Sequence, residues 1–176
     1  TLADTQLTDN GDVMLADAFW DCVHPHLTAN ALPSNPDGVK FLQHQCQSLA
    51  IPLPAGRKTS ARSNEIHGHT YRLDENPMGI TSLRLEFEQT CCRMHYQNAT
   101  GAHTLTFGLG HYHSGQFPEK HYYGSQIGKP LGRGYECLAA AGWLDDRTLL
   151  GTVYITDDYL GTLTMQLVFD GNHVSI

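Results

Sequence analysis

The sequence predicts a mainly β domain: an antiparallel meander of about eight strands that closes into a barrel, preceded by two short helices. Three observations carry this reading. After residue 65 the apolar period changes from three-and-four to two. Turn-forming residues fall between the alternating segments. The connections are short, so consecutive strands pair antiparallel, and closing the meander removes its exposed edges. A two-sheet sandwich is the other architecture compatible with the pattern.

Before residue 65 the spacing is helical. Leu15, Phe19, Cys22, Val23 and Leu27 form one apolar stripe over 13–30, and Pro25 is placed to kink or end that helix. A second stripe, Val39, Leu42, Cys46 and Leu49, follows Ser34-Asn35-Pro36, with Asn35 as N-cap and Pro36 at the first helical position of a helix over 36–50. The stretch from Ile51 to Ser60 holds Pro52 and Pro54 at alternate positions and then a polar tail, which reads as an extended linker. The expected organisation is a helical connector with its linker over 1–61 and a β-barrel domain over 62–176.

In the second part Leu83, Leu85 and Phe87 alternate with Arg84, Glu86 and Glu88. Leu105, Phe107 and Leu109 alternate in the same way with Thr104 and Thr106, and Leu163, Met165, Leu167 and Phe169 with Thr162, Thr164 and Gln166. Such alternation gives a strand one buried and one wet face. Further strands are expected at 67–74, 91–97, 119–127, 135–143 and 147–156. Asn76-Pro77-Met78-Gly79, Asn98-Ala99-Thr100-Gly101, Asp145-Asp146 and Asp170-Gly171-Asn172 supply the turns. The Gly-rich stretch from Gly108 to Pro118 reads as a mobile loop that can border the barrel mouth.

With 176 residues, 40% of them hydrophobic, the chain can bury a sizeable core. Eleven basic against 18 acidic residues give a net charge of −7, with no run of Lys or Arg, so no basic footprint for nucleic acid exists. No apolar run approaches the roughly 20 residues of a bilayer span. The first residue is Thr1 and not Met, no signal segment follows it, and Ile176 falls within a strand-like alternation, so both ends are expected to be cut from a larger protein. The five cysteines, Cys22, Cys46, Cys91, Cys92 and Cys137, are odd in number and lack CxxC spacing, which argues against a disulfide framework or a zinc knuckle. Adjacent Cys91 and Cys92 should point to opposite faces of a strand.

The order of short motifs is distinctive. Ala18-Phe19-Trp20-Asp21 is followed by Leu32-Pro33-x-Asn35-Pro36 and Leu53-Pro54. Then come Gly68-His69-Thr70-Tyr71-Arg72-Leu73, Asn76-Pro77-Met78-Gly79-Ile80 and Phe107-Gly108-Leu109-Gly110. Gly142-Trp143-Leu144-Asp145-Asp146 and Phe169-Asp170-Gly171 close the series. Together these resemble the C-terminal portion of bacterial serine hydrolases of the β-lactamase and penicillin-binding-protein type, over nearly the whole chain. The resemblance implies a lipocalin-like β domain behind a helical connector, with the catalytic domain lying before Thr1. It carries over no catalytic residue.

The nucleophile of such enzymes is a Ser in Ser-x-x-Lys. Ser34, Ser48, Ser60, Ser63, Ser82, Ser114 and Ser125 all lack a Lys three residues on, and Ser175 has too little chain after it. Tyr96-Gln97-Asn98 and His113-Ser114-Gly115 match the second and third motifs in part, on strands expected to be neighbours, and read as coincidence without a nucleophile. No Gly-x-Ser-x-Gly elbow, phosphate loop or dinucleotide fingerprint is present.

Eleven histidines include the His-x-His pairs His24/His26, His67/His69 and His111/His113. On a strand such a pair shares a face, so His67, His69, His111 and His113 are candidate metal ligands if the pairs converge. Surface or hydrogen-bonded histidines are the simpler account. Tyr71, Tyr112, Tyr122 and Trp143 are the candidate lining of an interior that an eight-stranded barrel can either fill or open to one small ligand. The functional expectation is a non-catalytic C-terminal accessory domain that caps, orients or oligomerises a serine-hydrolase catalytic domain. A lipocalin-like small-molecule barrel and a His-based metal module are the alternatives. No catalytic residue and no cofactor is expected. The expected partners are the missing N-terminal catalytic domain and further copies of the chain, with no nucleic acid and no membrane span, in a bacterial cytoplasm or cell envelope.

Overall fold

A computed structural model describes residues 11–119, 121–122, 125–126, 134–156 and 160–176. The chain divides into two compact units, Thr1–Pro52 and Leu53–Ile176.

The first unit is helical. Helix α1 spans Gly11–Cys22 and passes into a single 3₁₀ turn, His24–His26. Pro25 sits at the start of that turn, where its fixed φ and missing N–H are tolerated, so the proline ends the α-helix as expected. Helix α2 spans Pro36–Ser48. The Asn35 Oδ1 accepts from the Gly38 N–H at 2.9 Å, which satisfies one of the donors a helix start leaves free. None of the described side chains of α1 or α2 is buried. Met14, Trp20, Phe41 and Leu42 are each more than half exposed. No helix among the described residues is long and apolar enough to cross a membrane.

The second unit is β. After a four-residue helix, α3 (Ser63–Ile66), come β1 (Thr70–Arg72), β2 (Ser82–Phe87), β3 (Cys91–Asn98), β4 (Gly101–Leu109), β5 (His113–Phe117), β6 (His121–Tyr122), β7 (Ser125–Gln126), β8 (Tyr135–Trp143), β9 (Thr148–Thr156), β10 (Leu160–Asp170) and β11 (His173–Ser175). Among the described residues nine strands form one barrel-like, nearly closed sheet in the order β1-β2-β3-β4-β8-β9-β10-β11, with β5 also on β8. The strands β6 and β7 pair separately. Hairpin pairings dominate, as short connections require. The strand β5 pairs with the non-consecutive β8, and β4 makes a two-residue parallel contact with β8, Gly108↔Ala140 and Leu109↔Ala141.

Strand β5 corrects the expectation of a mobile loop over 108–118. It pairs antiparallel with β8 from His113↔Ala139 to Phe117↔Tyr135. Only Phe117 of β5 is buried, so its sequence shows no apolar alternation. The sharp reversal before it depends on Gly108, where a Cβ would come within 2.2 Å of the His111 carbonyl oxygen. Both β4 and β5 therefore lie along one edge of β8.

The stretch read as a linker is bound to the barrel unit. Arg57 and Trp143 exchange both backbone hydrogen bonds at 2.8 Å. Gly56, with φ of 123°, lies so close that a Cβ would meet the Trp143 carbonyl oxygen at 2.6 Å. The Arg57 guanidinium donates to Asp146 at 2.8 Å, and the Ser60 hydroxyl donates to the Asp146 carbonyl at 3.2 Å. Residues 53–61 thus fall within the second compact unit.

Alternation fills the interior. Register sets Leu83 opposite Tyr96, Leu85 opposite Met94 and Phe87 opposite Cys92. Met94 faces Leu105, and Cys92 faces Phe107. These side chains join Ile155, Leu163, Met165 and Leu167 in one apolar cluster. Cys92 is buried and Cys91 half-buried, on opposite faces. Trp143, fully buried, has Phe87 and Phe169 at ring distances of 5.6 and 6.0 Å. Its indole Nε1 has no hydrogen-bond partner among the described residues.

A large-to-small change at this position removes buried area and leaves a cavity. Trp143→Ala is expected to cost about 3–5 kcal/mol in chemical denaturation. Trp143→Phe should cost clearly less, because it also removes an orphan donor whose burial carries a penalty of about 1–3 kcal/mol. Equal losses in the two variants would contradict this account of the indole.

Candidate functional site

A cluster of hydrogen-bonded polar side chains gathers at the turn between β3 and β4. Alternation turns Tyr96 and Asn98 inward, and register places His103 directly across from Tyr96. The turn itself, Asn98-Ala99-Thr100-Gly101, is closed by the Asn98 Oδ1, which accepts from the Thr100 N–H at 2.9 Å and from its hydroxyl at 2.7 Å. Glu119, two residues after β5, reaches into this corner.

The Glu119 carboxylate is held by neutral donors. The Tyr96 hydroxyl donates to Oε1 at 2.5 Å, and the Asn98 amide donates to Oε2 at 2.7 Å. The Thr100 hydroxyl lies 3.3 Å from Oε2, and the His103 Nε2 lies 2.8 Å from that same hydroxyl. The side chains of Glu119 and His103 are only 9% and 13% exposed. The His103 Nε2 lies 4.0 Å from the Glu119 Oε2. Burial, and then the bond to the Glu119 carboxylate, push the Tyr96 phenol well above its ordinary range. A carboxylate surrounded in this way is fully satisfied. The arrangement ties the segment after β5 to the β3–β4 turn, and it offers no activated nucleophile.

The aromatic candidates are spread over the barrel. Tyr71 is buried against Phe169 at 5.4 Å and carries His69 at 4.6 Å. Trp143 touches the same Phe169 from another strand. Tyr112 is half-buried and pairs edge-on with Tyr154 at 5.9 Å. Burial, followed by the charge and hydrogen bond of Tyr154, pushes the Tyr112 phenol up to about 12. Tyr122 is on β6, and its side chain lies outside the described residues.

Of the candidate metal ligands, His67 uses its Nδ1 to accept from the Phe87 N–H at 3.0 Å. His69 meets Tyr71 edge-on. His111 belongs to the reversal after β4, and His113 begins β5 opposite Ala139. Among the described residues no three His, Cys, Asp or Glu side chains gather as a metal site would require. The two partial motifs do not share neighbouring strands, because β3 pairs with β2 and β4 while β5 pairs with β8.

Sequence reasoning noted Tyr96 and Asn98 through a three-residue pattern. Their shared face was readable from the period of two, but their partner Glu119 was not. No protein-family model, no curated protein and no solved structure matches the chain.

Two outcomes follow from this geometry. In a double-mutant cycle, Tyr96→Phe and Glu119→Gln should each destabilise by about 1–3 kcal/mol. Together they should cost measurably less than their sum. Strict additivity in urea titrations would show that the two groups do not act as a unit. For Tyr112 the folded state favours the protonated phenol. Its contribution to stability is complete below the ordinary tyrosine value of about 10 and is lost as pH rises through about 12. Tyr112→Phe should therefore flatten the alkaline fall in stability between those values, and an unchanged profile would count against the assignment.

Proposed function

We propose that this chain serves as a non-catalytic accessory domain of a bacterial β-lactamase-like serine hydrolase, capping, orienting or oligomerising a catalytic domain that supplies the nucleophile. The observation that carries this reading is the apolar surface of the helical unit. Val13, Met14, Trp20, Val39, Phe41 and Leu42 are all more than half exposed on α1 and α2. A protein surface seldom carries this many large apolar side chains on two short helices without something to bind them. Helices of this length are marginal in water unless an apolar face is covered. The order of motifs shared with the serine hydrolases supports the choice of partner, and the absence of Ser-x-x-Lys supports a non-catalytic role. In this reading the barrel is of the lipocalin-like kind, and its buried hydrophobic side chains form one apolar core.

The chain by itself is expected to hydrolyse nitrocefin and p-nitrophenyl esters no faster than background. Turnover above background that survives Ser114→Ala would overturn the non-catalytic assignment. The coding sequence on the N-terminal side of Thr1 should specify a Ser-x-x-Lys helix, and a reading frame without one would remove the proposed partner.

A further inference from the structure

The outer face of β1–β4 carries a second arrangement, independent of the reading above. Register aligns Thr70, Arg84, His95 and Thr104 in one row across the four strands. The next row is Arg72, Ser82, Gln97 and Ala102. Between the rows lie Tyr71, Leu83 and Tyr96, which are buried, and His103, whose side chain is 13% exposed, so both rows face outward. Ser82 and Ala102 are small, while Arg84, His95 and Gln97 stand up around them. A groove of about 270 Å³ results.

The chemistry of its walls is one-sided. Thr70, Ser82, Arg84, His95, Gln97 and Thr104 can all donate hydrogen bonds, and no carboxylate is among the lining residues. This is notable on a chain whose net charge is −7. Glu86 lies in the next outward row of β2, beside the groove and not among its lining residues. It pairs with the Arg84 guanidinium, and its other oxygen lies 3.3 Å from the His95 Nε2. The His95 Nδ1 lies 3.0 Å from the Thr104 hydroxyl. The imidazole is thus fixed at both nitrogens, and the guanidinium is oriented by one carboxylate oxygen with further N–H groups to spare. Donors held in place before a ligand arrives lose less freedom on binding.

We infer that this groove binds an oxyanion group, a phosphate or carboxylate on a small molecule, with Arg84 as the charged anchor and Ser82 and Gln97 as the orienting donors. Guanidinium groups favour such anions because their N–H groups match two oxygens at once. The volume lies near the lower end of small-molecule sites, about 300–1,000 Å³, so the ligand is small.

The test is an NMR titration of the full chain with inorganic phosphate in one arm and citrate in the other, at constant ionic strength set by sodium chloride. Saturable shifts are expected at the His95 ring, the Gln97 side-chain amide and the Thr104 amide, with the tighter arm identifying the anion. Arg84→Gln should weaken binding at least tenfold. Ala102→Leu, which fills the groove without altering charge, should weaken it to a similar extent. The amides of Leu83 and Tyr96 on the inner face report whether each variant keeps its fold. Should Arg84→Gln disturb them, the exposed Ala102 position decides. Shifts that fail to saturate with either anion, or that persist unchanged in Ala102→Leu, would overturn the assignment.

Discussion

Burial of Trp143 is the constraint on which the barrel unit depends. Its backbone holds the 55–60 strap through two hydrogen bonds to Arg57, while its side chain meets Phe87 of β2 and Phe169 of β10. A buried indole removes about 150–250 Å² from water, more than any other side chain can. One residue therefore joins strands far apart in sequence to a segment that would otherwise be a free linker. The turn that follows is fixed just as firmly. The Asp145 Oδ1 accepts from the backbone N–H of Arg147 at 2.7 Å and of Thr148 at 2.8 Å, and these bonds hold its carboxyl below the usual range. The close approach at Gly56 shows the geometric cost, since no side chain fits there.

Strand β3 divides the chemistry of the molecule. Its inward residues Cys92, Met94, Tyr96 and Asn98 pass from apolar core to the Glu119 corner, and its outward residues His95 and Gln97 stand in the external groove. A strand has a side-chain period of two, so a slip of one residue would exchange these sets and bury Arg93 and His95. The two polar groups differ in kind. At Glu119 the donors and the acceptor are satisfied by one another in a nearly dry corner, which rigidifies. On the outside Arg84 keeps N–H groups beyond its pair with Glu86, which leaves capacity for a ligand.

The helical unit poses the opposite problem. Its caps are correct, with Asn35 bonded to Gly38 and Pro25 starting the turn after α1, yet it has no core of its own among the described residues. Local signals suffice to make a helix, but stability in water comes mostly from covering an apolar face. A partner surface is the natural complement to Phe41, Leu42 and Trp20, and this links the local structure to the accessory role proposed above.

Sequence alone determined the mainly β character, most strand positions, the N-cap at Asn35 and the inward set Leu83, Leu85, Leu105, Phe107, Leu163 and Leu167. Each of these rests on local chemistry: a period of two, a capping oxygen, or a residue that tolerates a tight turn. The tertiary structure decided the rest. Strand β5 exists because β8 offers it an edge, the 55–60 strap because Trp143 offers it two backbone partners, and the Glu119 corner because Asn98 and Tyr96 lie within reach. The outer groove is likewise a product of register, which lines up Arg84, His95 and Thr104 from three strands. Such pairings join residues distant in the chain, and no short stretch of sequence records which distant edge or carboxylate will meet it.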